Sequence, residues 1–334
     1  MIRRLFMTML GLSLTALYLQ AQTPDQAEMF RPGEVMLDAA GQPINAHGAG
    51  MLYYHGVYYW FGGVMEGKTV NQHVPLPGVS CYSSRDLHHW KSEGIVLPPV
   101  INDPGSDLVP PRFVERPKVV YNPRTRKFVM WMHVDTIDYQ YARAGVAVSD
   151  TPTGHYHYLG SVRPNGSMSR DMTLFQAHNG KAYLIFASED NQTMHIAQLT
   201  DDYLKPDGVM IRIFVGQYRE APAAFQYRGR YFLINSKCSD WAPNAALYAV
   251  APSMLGPWKV MGNPTVGPGS DKTFNSQSTY VLPVAGRRGA FIFMADRWNP
   301  DNLEDSRYIW LPISIHADKL EIQWHDQWDL SIFK

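Results

Sequence analysis

The chain of 334 residues has little cysteine and no charge of either sign to spare: two Cys, and 30 Lys and Arg against 30 Asp and Glu. Cys81 and Cys238 are 157 positions apart, which neither supports nor excludes a disulfide, and two separate buried thiols is the expectation. Zero formal charge argues against a nucleic-acid binder, which needs a basic stripe. No GxGxxG or GxxxxGK[ST] segment exists to cradle phosphates, and no HExxH spacing exists to hold a metal. Charged residues make up only 18% of the chain, and no long amphipathic helical pattern appears.

What the chain does have is aromatics and turn formers: 14 Phe, 9 Trp, 19 Tyr, 24 Pro and 26 Gly, in a composition that is 45% hydrophobic. That combination predicts a β-rich fold. It also suits a surface for flat, neutral, polar ligands such as sugars, whose CH faces stack on aromatic rings. Residues 1–22 read as a secretory signal peptide: Arg3 and Arg4 precede an apolar run from Leu5 to Leu19, and Ala21 suits the end of a cleavage site. That run of 15 residues is short for a membrane span. The expectation is an exported protein, periplasmic or extracellular, with residues 23–334 forming one domain.

One pattern recurs along that domain: a short strand, a polar turn, then a dense aromatic and aliphatic strand. The dense strands are Val57–Phe61, Lys127–Trp131, Lys181–Phe186, Arg230–Ile234 and Gly289–Met294. Polar turns at Ser84–Trp90, Ser149–Gly154, Thr200–Leu204 and Ala251–Trp258 would each pass a third strand to a fourth. Five such units predict an all-β, five-bladed β-propeller with four antiparallel strands per blade. A two-sheet sandwich is the alternative. Residues 23–43 would lead in and help complete the last blade.

In a propeller the innermost strands line a central channel, so residues of equal phase converge. Just ahead of the dense strands stand His47, Glu115, Asp171, Glu220 and Gln277, at intervals of 68, 56, 49 and 57 that track the repeat. Clustered carboxylates raise one another's pKa, whereas a neighbouring arginine lowers it. Glu115, Asp171 and Glu220, each with an adjacent Arg, could thus divide into an acid and an ionised partner. Glycosidic cleavage needs that division.

The chain resembles the family 43 glycoside hydrolases, inverting five-bladed propellers, and within them the exo-β-1,3-galactanase group. The resemblance rests on Ala46-His47-Gly48-Ala49-Gly50, Glu115-Arg116-Pro117-Lys118, Ser169-Arg170-Asp171-Met172-Thr173, Arg219-Glu220-Ala221-Pro222, Ser276-Gln277-Ser278-Thr279-Tyr280 and Asp296-Arg297-Trp298-Asn299. It implies Glu220 as general acid, Asp171 as the carboxylate that tunes that acid, and Glu115 with Arg116 as a holder of sugar hydroxyls. Most of the family carries a general-base Asp where this chain has Ala46-His47; the galactanase group shares that absence. A glutamine matching Gln277 would there position the attacking water, with Glu115 the competing base. Trp241, Trp298, Tyr139, Tyr141, Asn191 and Glu66 are candidate substrate contacts in loops. No cofactor is required; a Ca²⁺ near the channel-facing His47 is the metal candidate.

The expected substrate is an oligosaccharide or polysaccharide, a β-1,3-galactan such as an arabinogalactan backbone, and no protein partner is implied. Alternatives are an arabinofuranosidase or xylosidase, or a non-catalytic carbohydrate-binding propeller.

Overall fold

The structure is a computed structural model, and it describes residues 28–74 and 78–333. The signal-peptide segment lies outside the described residues. Each dense run becomes the second strand of a blade. Blade 1 is β1 (His47–Tyr54), β2 (Val57–Gly63), β3 (Val79–Ser84) and β4 (Lys91–Leu97). Blade 2 is β5 (Phe113–Asn122), β6 (Lys127–Asp135), β7 (Arg143–Ser149) and β8 (His157–Val162). Blade 3 is β9 (Met172–Gln176), β10 (Ala182–Ser188), β11 (Thr193–Leu199) and β12 (Pro206–Ile213). Blade 4 is β13 (Arg219–Tyr227), β14 (Arg230–Lys237), β15 (Leu247–Ala251) and β16 (Lys259–Gly262). Blade 5 is β18 (Gln277–Pro283), β19 (Phe291–Arg297), β20 (Arg307–His316) and β21 (Lys319–Gln323), with the two-residue β17 (Thr265–Val266) added in parallel outside β21. The other pairings are antiparallel, each strand beside its sequence neighbour. The five-bladed propeller expected from the repeats is therefore the observed fold.

The second strands are apolar without alternation because both of their faces are buried. Successive residues on a strand point to opposite faces, and here each face meets a different neighbouring blade. On β2, Trp60 packs toward blade 5 and Phe61 toward blade 2. On β10, Leu184 packs toward blade 2 and Ile185 toward blade 4. Five inter-blade clusters result, one at each junction of the ring. The buried indoles find acceptors, as polar groups in a core must: Trp60 Nε1 donates to Ala46 O at 3.0 Å and Trp131 Nε1 to Tyr203 O at 2.8 Å.

Among the described residues, the lead-in segment 28–43 adds no strand to a blade. Blade 5 draws all its strands from the C-terminal part of the chain, and Phe30 makes a single bridge to Trp328. Side chains reaching between blades 1 and 5 close the ring instead. The Tyr308 hydroxyl accepts from Ala46 N at 2.8 Å and donates to Ile44 O at 3.0 Å, and Thr279 Oγ1 donates to Ala49 O at 3.0 Å. Among the described residues, no helix is long and apolar enough to cross a membrane.

Candidate active site

The inner strands carry the in-phase polar residues to one end of the ring. In β1, β5, β13 and β18 the ladder to the second strand slips just after the site residue: between His47 and Gly50, Glu115 and Lys118, Glu220 and Ala223, and Ser278 and Tyr280. A bulge of this kind re-aims a side chain. Gly48, Arg116 and Ala221, each following a site residue, have φ of 60°, 54° and 52°. Glycine takes that conformation without penalty, but Arg116 and Ala221 hold it at a cost of about 1–3 kcal/mol each.

The side chains meet in a pocket of about 410 Å³ lined by Glu115, Arg116, Asp171, Glu220, Gln277, Trp241, Trp298, Tyr139 and Asn191, with His47, His133 and Cys238 among the others. That size suits a small ligand. Buried Arg116 is the hub. It grips Asp171 bidentately at 3.0 and 2.8 Å, and it donates to Gln277 Oε1 at 2.5 Å and Ser278 O at 3.0 Å. Trp298 Nε1 also donates to Gln277 Oε1, at 3.1 Å. Arginine and indole can only donate, so the Gln277 amide is locked with its oxygen toward them. Its nitrogen then donates to Glu220 Oε1 at 2.8 Å and Ser236 Oγ at 3.1 Å.

Glu220 is buried, and that burial, reinforced by the charge of Asp171, lifts its pKa to about 8. At neutral pH it is mostly a neutral acid. In the same pocket, Glu115 bonds at 3.2 Å to His133 Nδ1, whose Nε2 meets the fully buried Asp135 at 2.7 Å. Burial alone would lower the His133 pKa; the bonds to Asp135 and Glu115 outweigh it and raise the value to about 9. The ring is thus an imidazolium held between two carboxylates.

Neither Glu66 nor Tyr141 joins the pocket. Glu66 is exposed outside it, where its neighbour Met65 forms the lining. The Tyr141 hydroxyl is bonded to Asp107, and its ring lies under Arg112 and Arg143, 4.6 and 5.2 Å away. Both cysteines are free, but Cys238 does not share the core burial of Cys81. It stands half-buried in the pocket, 3.2 Å from Asn191 Nδ2.

The sequence assigns no role to His133, Asp135 or Asp296, although Asp296 opens one of the matching segments. The one signal for the first two is a polar pair closing the otherwise apolar run Phe128–Met132. Asp296 bonds His47 Nδ1 at 3.1 Å and Gly48 N at 3.2 Å, and His47 Nε2 lies 3.4 Å from the Tyr308 hydroxyl. Asp296 and Tyr308 thus set the ring into the buried wall of the channel. Glu115, His133 and Asp171 bring ligand atoms within 4.8 Å of one another, yet both His133 nitrogens and both Asp171 oxygens are already bonded.

The glycosyl hydrolases family 43 model matches residues 44–279, the segment that carries every one of these in-phase residues. The chain belongs to this family. Family 43 structures resemble it closely. A family 43 β-1,3-galactosidase solved with galactodeoxynojirimycin is 43% identical over 90% of this chain and 100% of its own, with a TM-score of 0.84. The exo-β-1,3-galactanase of Phanerochaete chrysosporium, solved with galactose, is 35% identical over 91% of this chain and 68% of its own, at 0.82. That of Clostridium thermocellum is 36% identical over 90% and 66%, at 0.81. No curated protein matches the chain. As a family 43 member, the protein has the propeller and the carboxylate-lined pocket of a glycoside hydrolase.

Proposed function

We propose that the protein is an inverting exo-β-1,3-galactanase that releases galactose from β-1,3-galactan or arabinogalactan backbones. The observation that carries this reading is Glu220: a buried carboxyl, protonated at neutral pH, facing the pocket beside an arginine-clamped carboxylate. The similarity to β-1,3-galactosidases and galactanases over most of the chain supports the choice of glycan. Glu220 protonates the glycosidic oxygen while the departing sugar develops oxocarbenium character. Asp171, clamped by Arg116, keeps a negative charge near the acid and so keeps its proton affinity high. Water attacks from the opposite face, held by Glu115 and by Gln277, whose amide gives up one of its present bonds to Glu220 and Ser236 to reach it. Of these two, only Glu115 can take a proton without a change of tautomer. Trp241 and Trp298 form a T-shaped pair, 5.6 Å between ring centres, that offers an apolar wall to a sugar face.

The N-terminal apolar run supports export, and the reaction needs no metal or cofactor. The test is incubation with β-1,3-galactan, following released sugar by proton NMR from the first seconds. Free galactose appearing first as the α-anomer is expected. A β-anomer would overturn inversion; no galactose would favour a carbohydrate-binding propeller, and release of pentoses from arabinosides or xylosides the other family activities.

A further inference from the structure

The role given to Glu220 requires it to hold a proton, yet the polar groups set against its oxygens are donors. Gln277 Nε2 donates to Oε1 at 2.8 Å, Asn191 Nδ2 to Oε2 at 3.3 Å, and the Cys238 thiol reaches the same carboxyl. A carboxylic acid needs an acceptor for its own O–H. Gln277 cannot supply one, because Arg116 and Trp298 hold its oxygen on the far side. Asn191 can. Its Oδ1 is buried without a hydrogen-bond partner, and a half-turn of the amide brings that oxygen to Glu220 and Cys238. The 3.3 Å bond to Oε2 is long beside the 2.7–2.9 Å of charge-assisted bonds, which leaves room for such a turn.

The backbone under Asn191 is built for this placement. Glu189, Asp190 and Asn191 are three successive non-glycine residues in the left-handed region, with φ of 54°, 53° and 62°. Outer contacts pin the turn: Arg212 and His195 hold Glu189 at 2.6 and 3.0 Å, and Arg170 holds Asp190 at 2.7 Å. The strained turn keeps the amide over the acid.

We propose that Asn191 is the acceptor that holds the acid's proton on Glu220 Oε2: its amide donates to the carboxylate, turns when the carboxyl is protonated, and yields the proton when a glycosidic oxygen arrives. This rests on Glu220 as the general acid. Asn191 is a positioning residue here, acting through Glu220. The charged and titratable groups facing that carboxyl are Asp171 and Glu115, which raise its proton affinity, Arg116, which lowers it, and Cys238 and Tyr139 at its edge.

The test is the pH profile of kcat/KM on β-1,3-galactobiose for wild type and Asn191→Leu. Leucine removes the acceptor of the protonated acid and one donor of the carboxylate together; the carboxylate keeps Gln277 and Cys238, whereas the acid's O–H keeps no protein acceptor, so the alkaline limb, near pH 8 in wild type, should move down by up to about one unit. If Asn191 only donates to the carboxylate, the limb moves up; an upward shift or no shift overturns the proposal. Neutron diffraction of the wild type at pH 6 and pH 9 reads the amide without a substitution. Oxygen toward Glu220 at pH 6 and nitrogen toward it at pH 9 is expected, and nitrogen at both overturns it. A wild type with no alkaline limb, or a Glu220→Gln variant with full activity, would instead sink the assignment of the acid and take this proposal with it.

Discussion

Replacing Glu220 by glutamine should abolish hydrolysis and also make the protein more stable, by an amount that depends on pH. The carboxyl has an ordinary value of 4.5 and sits near 8 in the folded chain, because it is buried and close to Asp171. A raised carboxyl pKa favours the folded state while both states are protonated, below about 4.5. That contribution is lost as pH rises through 8, because the unfolded chain ionises first. Each unit is worth about 1.4 kcal/mol, so at pH 7 the wild type has given up about 3 kcal/mol that a neutral glutamine keeps. At about 2.1 cal/mol/K per residue over roughly 300 residues, that is about 5 °C in Tm. The geometry allows the swap, since a glutamine at 220 can accept from Gln277 as before and donate toward Asn191. Differential scanning calorimetry of both proteins from pH 4 to pH 9 provides the measurement. The Tm gap should be near zero at pH 4, widen to about 5 °C at pH 7 and level off above 8. A gap that does not change with pH would refute the raised pKa, and with it the electrostatic basis of the acid.

Two further substitutions probe the groups around that acid. Arg116→Lys replaces a planar fork that serves Asp171, Gln277 and Ser278 at once with a single ammonium, and kcat/KM on β-1,3-galactobiose should fall by about 100-fold or more while circular dichroism stays native. His133→Gln removes the cation between Glu115 and Asp135. Because His133 titrates near 9 rather than 6.5, its stabilising effect is full below 6.5 and lost by 9. The variant should therefore be less stable by about 3 kcal/mol at low pH in urea unfolding, with the deficit shrinking toward pH 9.

The parts of this molecule that repeat are legible in its sequence. Glu115, Asp171, Glu220 and Gln277 share a phase on four inner strands, and the fold converts equal phase into proximity. The second strands were legible because burial on both faces leaves a continuous apolar run. Groups without a counterpart in other blades were not legible. His133 and Asp135 end a core strand and read as part of it. Cys238 looked like a small hydrophobe, and only the fold puts its sulfur beside Glu220. Tyr141 and Glu66 were misjudged because a loop side chain's direction is set by local partners, here Asp107 for the tyrosine and open solvent for the glutamate. The sequence suggests that residues 23–43 lead in and help complete the last blade, but that blade's four main strands all come from residues 277–323, and the described residues 28–43 add no strand to it.

The ring of five contiguous blades has a consequence for how the protein comes into being. Each blade can be made in order from one stretch of chain, yet none contains a working site. The Arg116–Gln277 bond joins residues 161 positions apart, and the His47–Asp296 bond spans 249. Those bonds cannot form until the last blade has emerged and docked against the first. Catalytic competence therefore arrives in a single step at the end of folding, and a turnover assay on refolding chains would count completed rings.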